Sequence, residues 1–157
     1  MISSLTHQRK ARISDLGAII YLLHEDELGR TRENKQAILD QRYIDAFHRI
    51  DIDHNQYLMV VENGDEIIGT CHLTIIPSLT FTAQTRMQIE AVRISEKCRG
   101  QKLGEWMMQE AIAYGQSKTA TIIQLTTNKK RPRAKSFYEK LGFVASHEGM
   151  KMYLEKE

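Results

Sequence analysis

Cysteines, prolines and long apolar runs are scarce in this sequence, and each scarcity excludes a class of protein. The 157 residues contain 2 cysteines and 2 prolines. Cys71 and Cys98 lie far apart and outside any metal-ligand spacing, which argues against a disulfide framework and a zinc site. No apolar run approaches the ~20 residues of a membrane-spanning helix, and the first ten residues lack the apolar core of a signal peptide. We therefore expect a soluble cytoplasmic protein with reduced thiols.

An excess of charge of one sign is also lacking. Lysine and arginine together number 22 against 20 acidic residues, which gives a formal net charge of +2. Charge alone therefore gives no support for binding to nucleic acid. With 41% hydrophobic and 27% charged residues, the composition is that of an ordinary globular protein. We expect a single domain over residues 1–157 with neither a nucleic acid nor a membrane as partner.

Apolar periodicity predicts an α+β fold. Three consecutive strands with short connections indicate an antiparallel meander, whose first hairpin turns at Asn63-Gly64-Asp65. A helix between the fourth and fifth strands predicts that these two strands are parallel. The expected order is β-α-α-β-β-β-α-β-α-β-β, a mixed and mostly antiparallel sheet with a central parallel pair, flanked by about four helices. The predicted strands occupy residues 7–13, 56–61, 66–76, 86–94, 119–126, 143–145 and 150–154, and the helices begin near 16, 31, 103 and 132.

The segment that organises the chain is a strand, a basic turn with two glycines and an amphipathic helix, over residues 88–114. Backbone N–H groups at a helix start have no partner within the helix, and the helix dipole adds positive charge there. Glycine lets the backbone approach a phosphate closely. The turn therefore predicts an anion site, although an ordinary strand-to-helix turn can have the same pattern. Its sequence is Arg99-Gly100-Gln101-Lys102-Leu103-Gly104.

Three stretches, in this order of elements, resemble the GNAT superfamily of acetyl-CoA-dependent N-acetyltransferases. The turn from Arg99 resembles the family pattern Gln/Arg-x-x-Gly-x-Gly/Ala. Residues Arg131–Phe143, with the sequence R-P-R-A-K-S-F-Y-E-K-L-G-F, resemble the signature A-x-x-F-Y-x-x-L-G-F. The strand I-I-G-T-C-H-L over residues 67–73 is the third. The resemblance covers nearly the whole chain and implies the fold expected above.

Two positions depart from the family pattern. Lys102 stands where glycine is usual, and we expect its side chain to turn outward and add positive charge beside the phosphates. Arg131 stands where many members have asparagine three residues before the conserved alanine. Asn128 is nearby and could replace that contact with the pantetheine arm.

The resemblance implies that acetyl-CoA is the cosubstrate and that its acetyl group moves directly to a primary amine of a small molecule, peptide or protein. It implies that the backbone of residues 92–94 lines the pantetheine and that the glycine turn holds the pyrophosphate. It assigns cofactor binding to Val92, Arg93, Ile94, Arg99, Gly100, Gln101, Lys102, Leu103, Gly104, Asn128, Arg131 and Tyr138.

Acetyl transfer needs an acid and a base, and the resemblance implies that Tyr138 lies within reach of the thioester sulfur. Tyr138 is the candidate acid for the leaving thiolate, since a phenol is protonated at pH 7. Glu90 is the candidate base, and strict alternation places it on the same strand face as Val92. His72 on the neighbouring strand, or an ordered water, is the alternative base. Cys98 lacks a neighbouring histidine in the sequence, and direct transfer needs no thiol nucleophile.

The acceptor is less well defined by the sequence. The resemblance implies an acceptor pocket formed by residues 24–30 and 77–84, and the acidic residues of the first range could attract a cationic amine. A cluster of basic residues before and within the last helix could contact the 3′-phosphate of the cofactor. A non-catalytic acyl-CoA-binding or regulatory module is the alternative to an enzyme, and a homodimer is plausible. The basic cluster comprises Lys129, Lys130, Arg131, Arg133 and Lys135.

Overall fold

A computed structural model describes residues 5–25 and 40–154. The strands are Thr6–Lys10 (β1), Gln56–Asn63 (β2), Glu66–Ile76 (β3), Thr85–Ile94 (β4) and Ala120–Leu125 (β5). The helices are Leu16–His24 (α1), Gln41–Ile52 (α2), the single turn Thr80–Ala83 (α3), Leu103–Ser117 (α4) and Pro132–Lys140 (α5), with 3-10 turns at Ile13–Asp15 and Glu96–Cys98.

The five strands form one sheet in the order β1-β2-β3-β4-β5. The first three pairs are antiparallel, and β4 and β5 are parallel. The β2–β3 hairpin closes at Gly64, whose φ of +62° lies in the left-handed region that glycine adopts without strain. The mixed sheet with its parallel pair, predicted from the sequence, is confirmed.

Helices cover both faces of the sheet. Helices α1 and α2 contact β2 and β3 on one face, where Ile19, Phe47 and Val60 belong to one buried cluster. The opposite face packs against α4. Its side chains alternate along the strands with those of the first face and include Met59, Cys71 and Met87, all with 0% exposure. Since both faces are covered, β2 and β3 contain nearly continuous runs of buried side chains.

Strand β4 contains a β-bulge. Glu90 pairs with His72, and Arg93 pairs with Thr70. Two residues of β4, Ala91 and Val92, therefore lie opposite the single residue Cys71. Ala91 has a φ of 51°, which is the left-handed conformation typical of the first residue of one class of bulge. The extra residue leaves local backbone groups outside the ladder and changes the face on which the following side chains lie.

The end of the chain differs from the sequence prediction. No strand forms within residues 141–154, so the two short strands expected at 143–145 and 150–154 are wrong. Short apolar segments favour an extended chain, but a strand is stabilised only when a neighbour supplies ladder hydrogen bonds. Among the described residues there are five helices instead of about four, because the loop expected at 78–84 contains α3. The helix expected over residues 31–50 lies partly outside the described residues, and α2 continues to Ile52.

The chain divides into two compact units, one ending at Gln124 and one beginning at Leu125. In the second unit, Pro132 begins α5 at a position where a helix does not need its missing N–H. Gly142, with a φ of +95°, follows the helix end. Within the described residues, no helix is both long and apolar enough to cross a membrane.

Candidate functional site

The turn before α4 leaves N–H groups available at the helix start. Gly100 and Lys102 both have left-handed backbone conformations, with φ of +76° and +63°. Lys102 is the N-cap of α4, and its side chain makes no capping hydrogen bond. The first backbone N–H groups of α4 have no acceptor within the helix. A 15-residue helix beginning here therefore offers an uncapped, electropositive end to an anion.

Local contacts hold this turn in place. The Arg99 guanidinium pairs with the Glu96 carboxylate at 3.2 Å, and the Gln101 side-chain amide donates to the Lys97 carbonyl at 3.1 Å. Leu103 is buried and anchors the first turn of α4. Residues 99 to 102 are exposed and Gly104 is half-buried. The buried Leu103 and the local hydrogen bonds thus fix the backbone of the turn, while residues 99–102 remain exposed to solvent.

The bulge changes which residues share a face of β4. Thr70 and His72 are two residues apart on β3, so their side chains share one face. Their partners, Arg93 and Glu90, therefore share that face as well. The expectation that Val92 lies on the same face as Glu90 is wrong, because it assumed uninterrupted alternation. The Val92 carbonyl instead accepts a hydrogen bond from the Arg93 side chain at 2.8 Å.

The two candidate bases lie opposite each other. His72 on β3 and Glu90 on β4 are direct cross-strand partners. Glu90 is exposed and His72 is half-buried. The Nε2 atom of His72 is buried, and no described residue hydrogen-bonds to it. Burial lowers the pKa of His72, and the facing carboxylate of Glu90 opposes that shift. His72 is therefore a neutral imidazole at pH 7, able to accept a proton.

Next to this pair lies an apolar cavity of about 140 Å³. Helices α1 and α2 form one wall, and the sheet forms the other with Leu58, Thr70, His72 and the bulge residue Ala91. The Thr70 hydroxyl donates to the Met59 carbonyl at 2.8 Å, so it already has a partner. The helical wall comprises Leu16, Ile19, Ile20, Leu23, Tyr43, Ala46, Phe47 and Ile50.

The cysteines are not arranged for nucleophilic or metal chemistry. Cys71 is fully buried, and burial raises its pKa to about 12, so its thiol stays protonated. Cys98 is half-buried beside the glycine turn. Among residues 5–25 and 40–154, no group of three or more His, Cys, Asp or Glu side chains could hold a metal ion.

In the second unit, Tyr138 lies on α5 within an aromatic group. Its ring contacts Phe137 at 5.3 Å and Phe143 at 6.0 Å between centroids, both edge-on. Asn128 shapes the turn before α5: its side-chain oxygen accepts from the Lys130 N–H at 2.9 Å, and its carbonyl accepts from the Arg131 N–H at 2.9 Å. The side-chain oxygen of Asn128, a residue expected to contact the pantetheine arm, is therefore engaged within its own turn.

The basic residues of the second unit are partly paired. Lys129 lies 2.9 Å from a Glu148 oxygen, and this carboxylate raises the pKa of Lys129. Lys135 lies 3.6 Å from Glu139 on the next turn of α5. Arg133 lines a shallow open surface on α5 together with Ser136 and Lys140.

Of the expected acceptor segments, only part is described. The Glu25 carboxylate accepts a hydrogen bond from the Glu96 N–H at 3.1 Å, so it supports the 3-10 turn that precedes the glycine turn. Residues 26–30 lie outside the described residues. In the second segment, Phe81, Thr82 and Ala83 have φ values of 52°, 60° and 59°, and the Phe81 side chain is exposed.

Sequence reasoning did not identify the bulge residue Ala91 or the cavity. A small residue within a run of strand residues is a weak signal for a bulge. The cavity wall consists of the same apolar stripes that any packed helix pair shows, so its residues could be recognised only as core.

Residues 20–143 match the Acetyltransferase (GNAT) family. A transcriptional regulator from Bacillus halodurans C-125 has a similar structure with a TM-score of 0.92 and 42% identity, over 95% of this chain and 99% of that one. Glucosamine-6-phosphate N-acetyltransferase from Arabidopsis thaliana has a TM-score of 0.77 at 21% identity, over 96% and 99% of the two chains. A predicted acetyltransferase from Clostridium acetobutylicum, solved with acetyl-CoA, has a TM-score of 0.74 at 18% identity, over 94% and 96%. None of the curated proteins matches the chain.

Proposed function

Because the chain belongs to the GNAT family of acetyltransferases, we propose that it transfers the acetyl group of acetyl-CoA directly to a primary amine within a ternary complex. The observation that carries the proposal is the bulge at Ala91 and Val92. It lies on the strand that leads to the glycine turn, and it directly follows Glu90, the partner of His72. We place this reaction in the cytoplasm, in keeping with two thiols that form no disulfide.

The residues present fit acetyl-CoA. The N–H groups at the start of α4 would hold the pyrophosphate, with the exposed Lys102 side chain adding positive charge. The backbone of Val92, Arg93 and Ile94, at the end of β4 that leads to the glycine turn, would bind the amides of the pantetheine arm, as the family resemblance implies. Asn128, Arg131 and Arg133 of the second unit are further candidates for contacts with the pantetheine and the 3′-phosphate.

Acetyl-CoA supplies a thioester, whose carbonyl carbon is open to attack by an amine. In our proposal a backbone N–H at Val92 stabilises the negative charge that develops on the carbonyl oxygen. The amine must lose a proton, and the His72–Glu90 pair accepts it. His72 is the better direct acceptor because it is neutral at pH 7, while the Glu90 carboxylate stabilises the imidazolium that forms. Glu90 acting directly or through a water is the alternative.

Tyr138 is the proposed acid. Its phenol is protonated at neutral pH and would donate that proton to the thiolate of coenzyme A as the thiolate leaves. Its place in the signature F-Y-E-K-L-G-F supports the assignment, and its edge-on contacts with Phe137 and Phe143 would keep the ring from rotating freely.

A regulatory module that binds acetyl-CoA without turnover is the second candidate. The structure from Bacillus halodurans that is 42% identical is called a transcriptional regulator, which favours this reading. The presence of Glu90, His72 and Tyr138 in the chain favours the enzyme.

Two measurements test the proposal. The first is a thermal-unfolding titration with acetyl-CoA, with coenzyme A and ATP as comparisons; we expect a saturable stabilisation that is larger with acetyl-CoA than with ATP. The second follows release of the coenzyme A thiol while a panel of primary amines is supplied. Release that depends on the amine supports the enzyme. Stabilisation without release for any amine would support the regulatory module instead.

Direct transfer has its own test. Intact-mass measurement after incubation with acetyl-CoA alone should show no acetylated protein, and Cys98→Ser should keep the turnover of the wild type. An acetyl adduct that forms without amine and is lost on adding amine would overturn the ternary-complex mechanism.

A further inference from the structure

The cavity between the first two helices and the sheet is lined mostly by apolar residues, and one lining residue, His72, has a polar atom left unsatisfied by the described residues. Leu16, Ile19 and Leu23 of α1 line it together with Phe47 and Ile50 of α2. The Thr70 hydroxyl is bonded to a backbone carbonyl. The buried Nε2 of His72 has no partner among the described residues. An unbonded buried nitrogen costs free energy that a hydrogen-bonding ligand would recover.

The cavity also adjoins the reacting centre proposed above. Ala91 lines it, and Ala91 is the bulge residue directly before Val92. His72 lines it from the neighbouring strand, opposite Glu90. A molecule that fills the cavity therefore ends, on the sheet side, beside the proposed base and one residue from the proposed oxyanion donor.

We propose that this cavity binds the apolar body of the acceptor, so that the acceptor is a primary amine attached to a phenyl or branched alkyl group, with its nitrogen at His72. This inference rests on the proposed acetyl transfer. A dry apolar cavity of about 150 Å³ is large enough to hold benzene, and the cavity here measures about 140 Å³. An apolar wall offers no partner to the hydroxyls or phosphate of a sugar, which would lose hydrogen bonds to water on entry.

The experiment compares matched amines with the full-length chain. Propylamine, 3-methylbutylamine and 2-phenylethylamine form the apolar series, and ethanolamine, putrescine and glucosamine 6-phosphate form the hydrophilic series. We expect kcat/KM to rise along the apolar series by about threefold to fourfold for each buried methylene, and 2-phenylethylamine to exceed ethanolamine by about 10- to 100-fold. The same apolar amines should raise the unfolding temperature in the presence of coenzyme A.

Leucine substitutions at two alanines, one in the cavity wall and one outside it, test where the apolar group of the amine binds. Ala46 on α2 lines the cavity, so Ala46→Leu fills part of it and should lower kcat/KM for 2-phenylethylamine by about tenfold, with less than about a twofold change for ethanolamine. Ala113 is exposed on α4, and Ala113→Leu should change neither value. If Ala46→Leu does not fold, Leu23→Ala provides the complementary test. It enlarges the cavity and should favour 4-methyl-substituted 2-phenylethylamine over 2-phenylethylamine.

The outcomes separate this inference from the proposed function. Turnover with equal or better kcat/KM for the hydrophilic amines would overturn the inference while supporting acetyl transfer. An apolar preference that Ala46→Leu and Ala113→Leu leave equally intact would also overturn it, because the apolar group would then bind elsewhere. Absence of turnover with every amine, despite stabilisation by acetyl-CoA, would overturn both.

Discussion

His72 and Glu90 face each other across β3 and β4, one residue before the bulge. Burial lowers the pKa of His72, and the charge of Glu90 acts in the opposite direction. A base must be deprotonated to work, so activity should rise with pH as His72 loses its proton, and the midpoint of this rise should lie below the ordinary histidine value of about 6.5. A pH profile of activity can therefore distinguish His72 from Glu90 as the residue that accepts the proton.

Two variants of this pair should give different profiles. Glu90→Gln removes the charge that raises the pKa of His72, so the acidic limb of kcat/KM should move to lower pH. His72→Gln should lower kcat by about 10²- to 10⁴-fold and remove that limb. The measurement is kcat/KM from pH 5 to 9 for both variants and the wild type. If Glu90→Gln loses turnover while His72→Gln keeps nearly the turnover of the wild type, the base is Glu90.

Tyr138→Phe should reduce kcat while acetyl-CoA affinity stays close to that of the wild type. The variant keeps the ring and its contacts with Phe137 and Phe143 but removes the proton donor, for which we expect a loss of about 10²-fold. Tyr153 is exposed near the end of the described chain, and Tyr153→Phe is the matched control. Steady-state kinetics and a cofactor titration check both variants. An unchanged kcat in Tyr138→Phe would show that the thiolate obtains its proton elsewhere.

Lys102 is a non-glycine residue in a left-handed conformation at a position where the family pattern has glycine. Lys102→Gly should raise the free energy of unfolding by about 1 kcal/mol relative to Lys102→Ala, because alanine keeps the backbone strain. Both variants lack the charge and should bind acetyl-CoA more weakly than the wild type, to an extent that falls as salt is added. Thermal unfolding and titration at two salt concentrations measure these effects. Equal stability of the two variants would mean that residue 102 is not strained.

Asp15 accepts hydrogen bonds from Arg9 at 2.7 and 3.1 Å and from the Arg12 N–H at 2.7 Å. Its side chain is buried, and the Arg9 guanidinium lowers the pKa of the carboxyl below its ordinary 3.8. A lowered pKa in the folded state stabilises the protein above the ordinary value, and this contribution is lost as pH falls through the folded pKa. Asp15→Asn should therefore cost about 3 kcal/mol at pH 7 and flatten the decline of stability below about pH 4.

The matched control for Asp15 is an exposed ion pair. Asp51 lies 2.8 Å from Lys10 with both side chains solvent-exposed, and Asp51→Asn should change the free energy of unfolding by less than about 1 kcal/mol. Urea unfolding of both variants between pH 3 and 7 makes the comparison. A similar loss in both variants would show that the Arg9–Asp15 pair contributes no more than a surface contact.

The parts of the fold that could be predicted from the sequence are those with a local pattern. The β2–β3 hairpin follows from the apolar runs on either side of Asn63-Gly64-Asp65, and α5 follows from Pro132 and Gly142 at its ends. The glycine turn was recognised because a strand, two glycines and a helix occur in immediate succession. Each of these depends on neighbours within about ten residues.

The features that could not be predicted depend on partners far away in the sequence. The pairing of His72 with Glu90 depends on the register of two strands, and the bulge breaks that register by one residue without altering the apolar pattern. The segments expected as strands after residue 142 are rich in apolar residues, but apolar composition does not provide a neighbouring strand. The left-handed turn at residues 81–83 contains no glycine, and nothing in its composition indicates it.

The bulge has a consequence for any comparison of this strand with another sequence. Because of the inserted residue, the side-chain alternation of residues 93–94 in β4 is shifted by one position relative to that of residues 85–90. An alignment without a gap at Ala91 against a regular strand would match inward-facing positions with outward-facing ones over all the residues that follow. Strand β4 pairs with β3 on both sides of the bulge, through Glu90 with His72 and through Arg93 with Thr70, so the sheet continues past the inserted residue while its side-chain alternation does not.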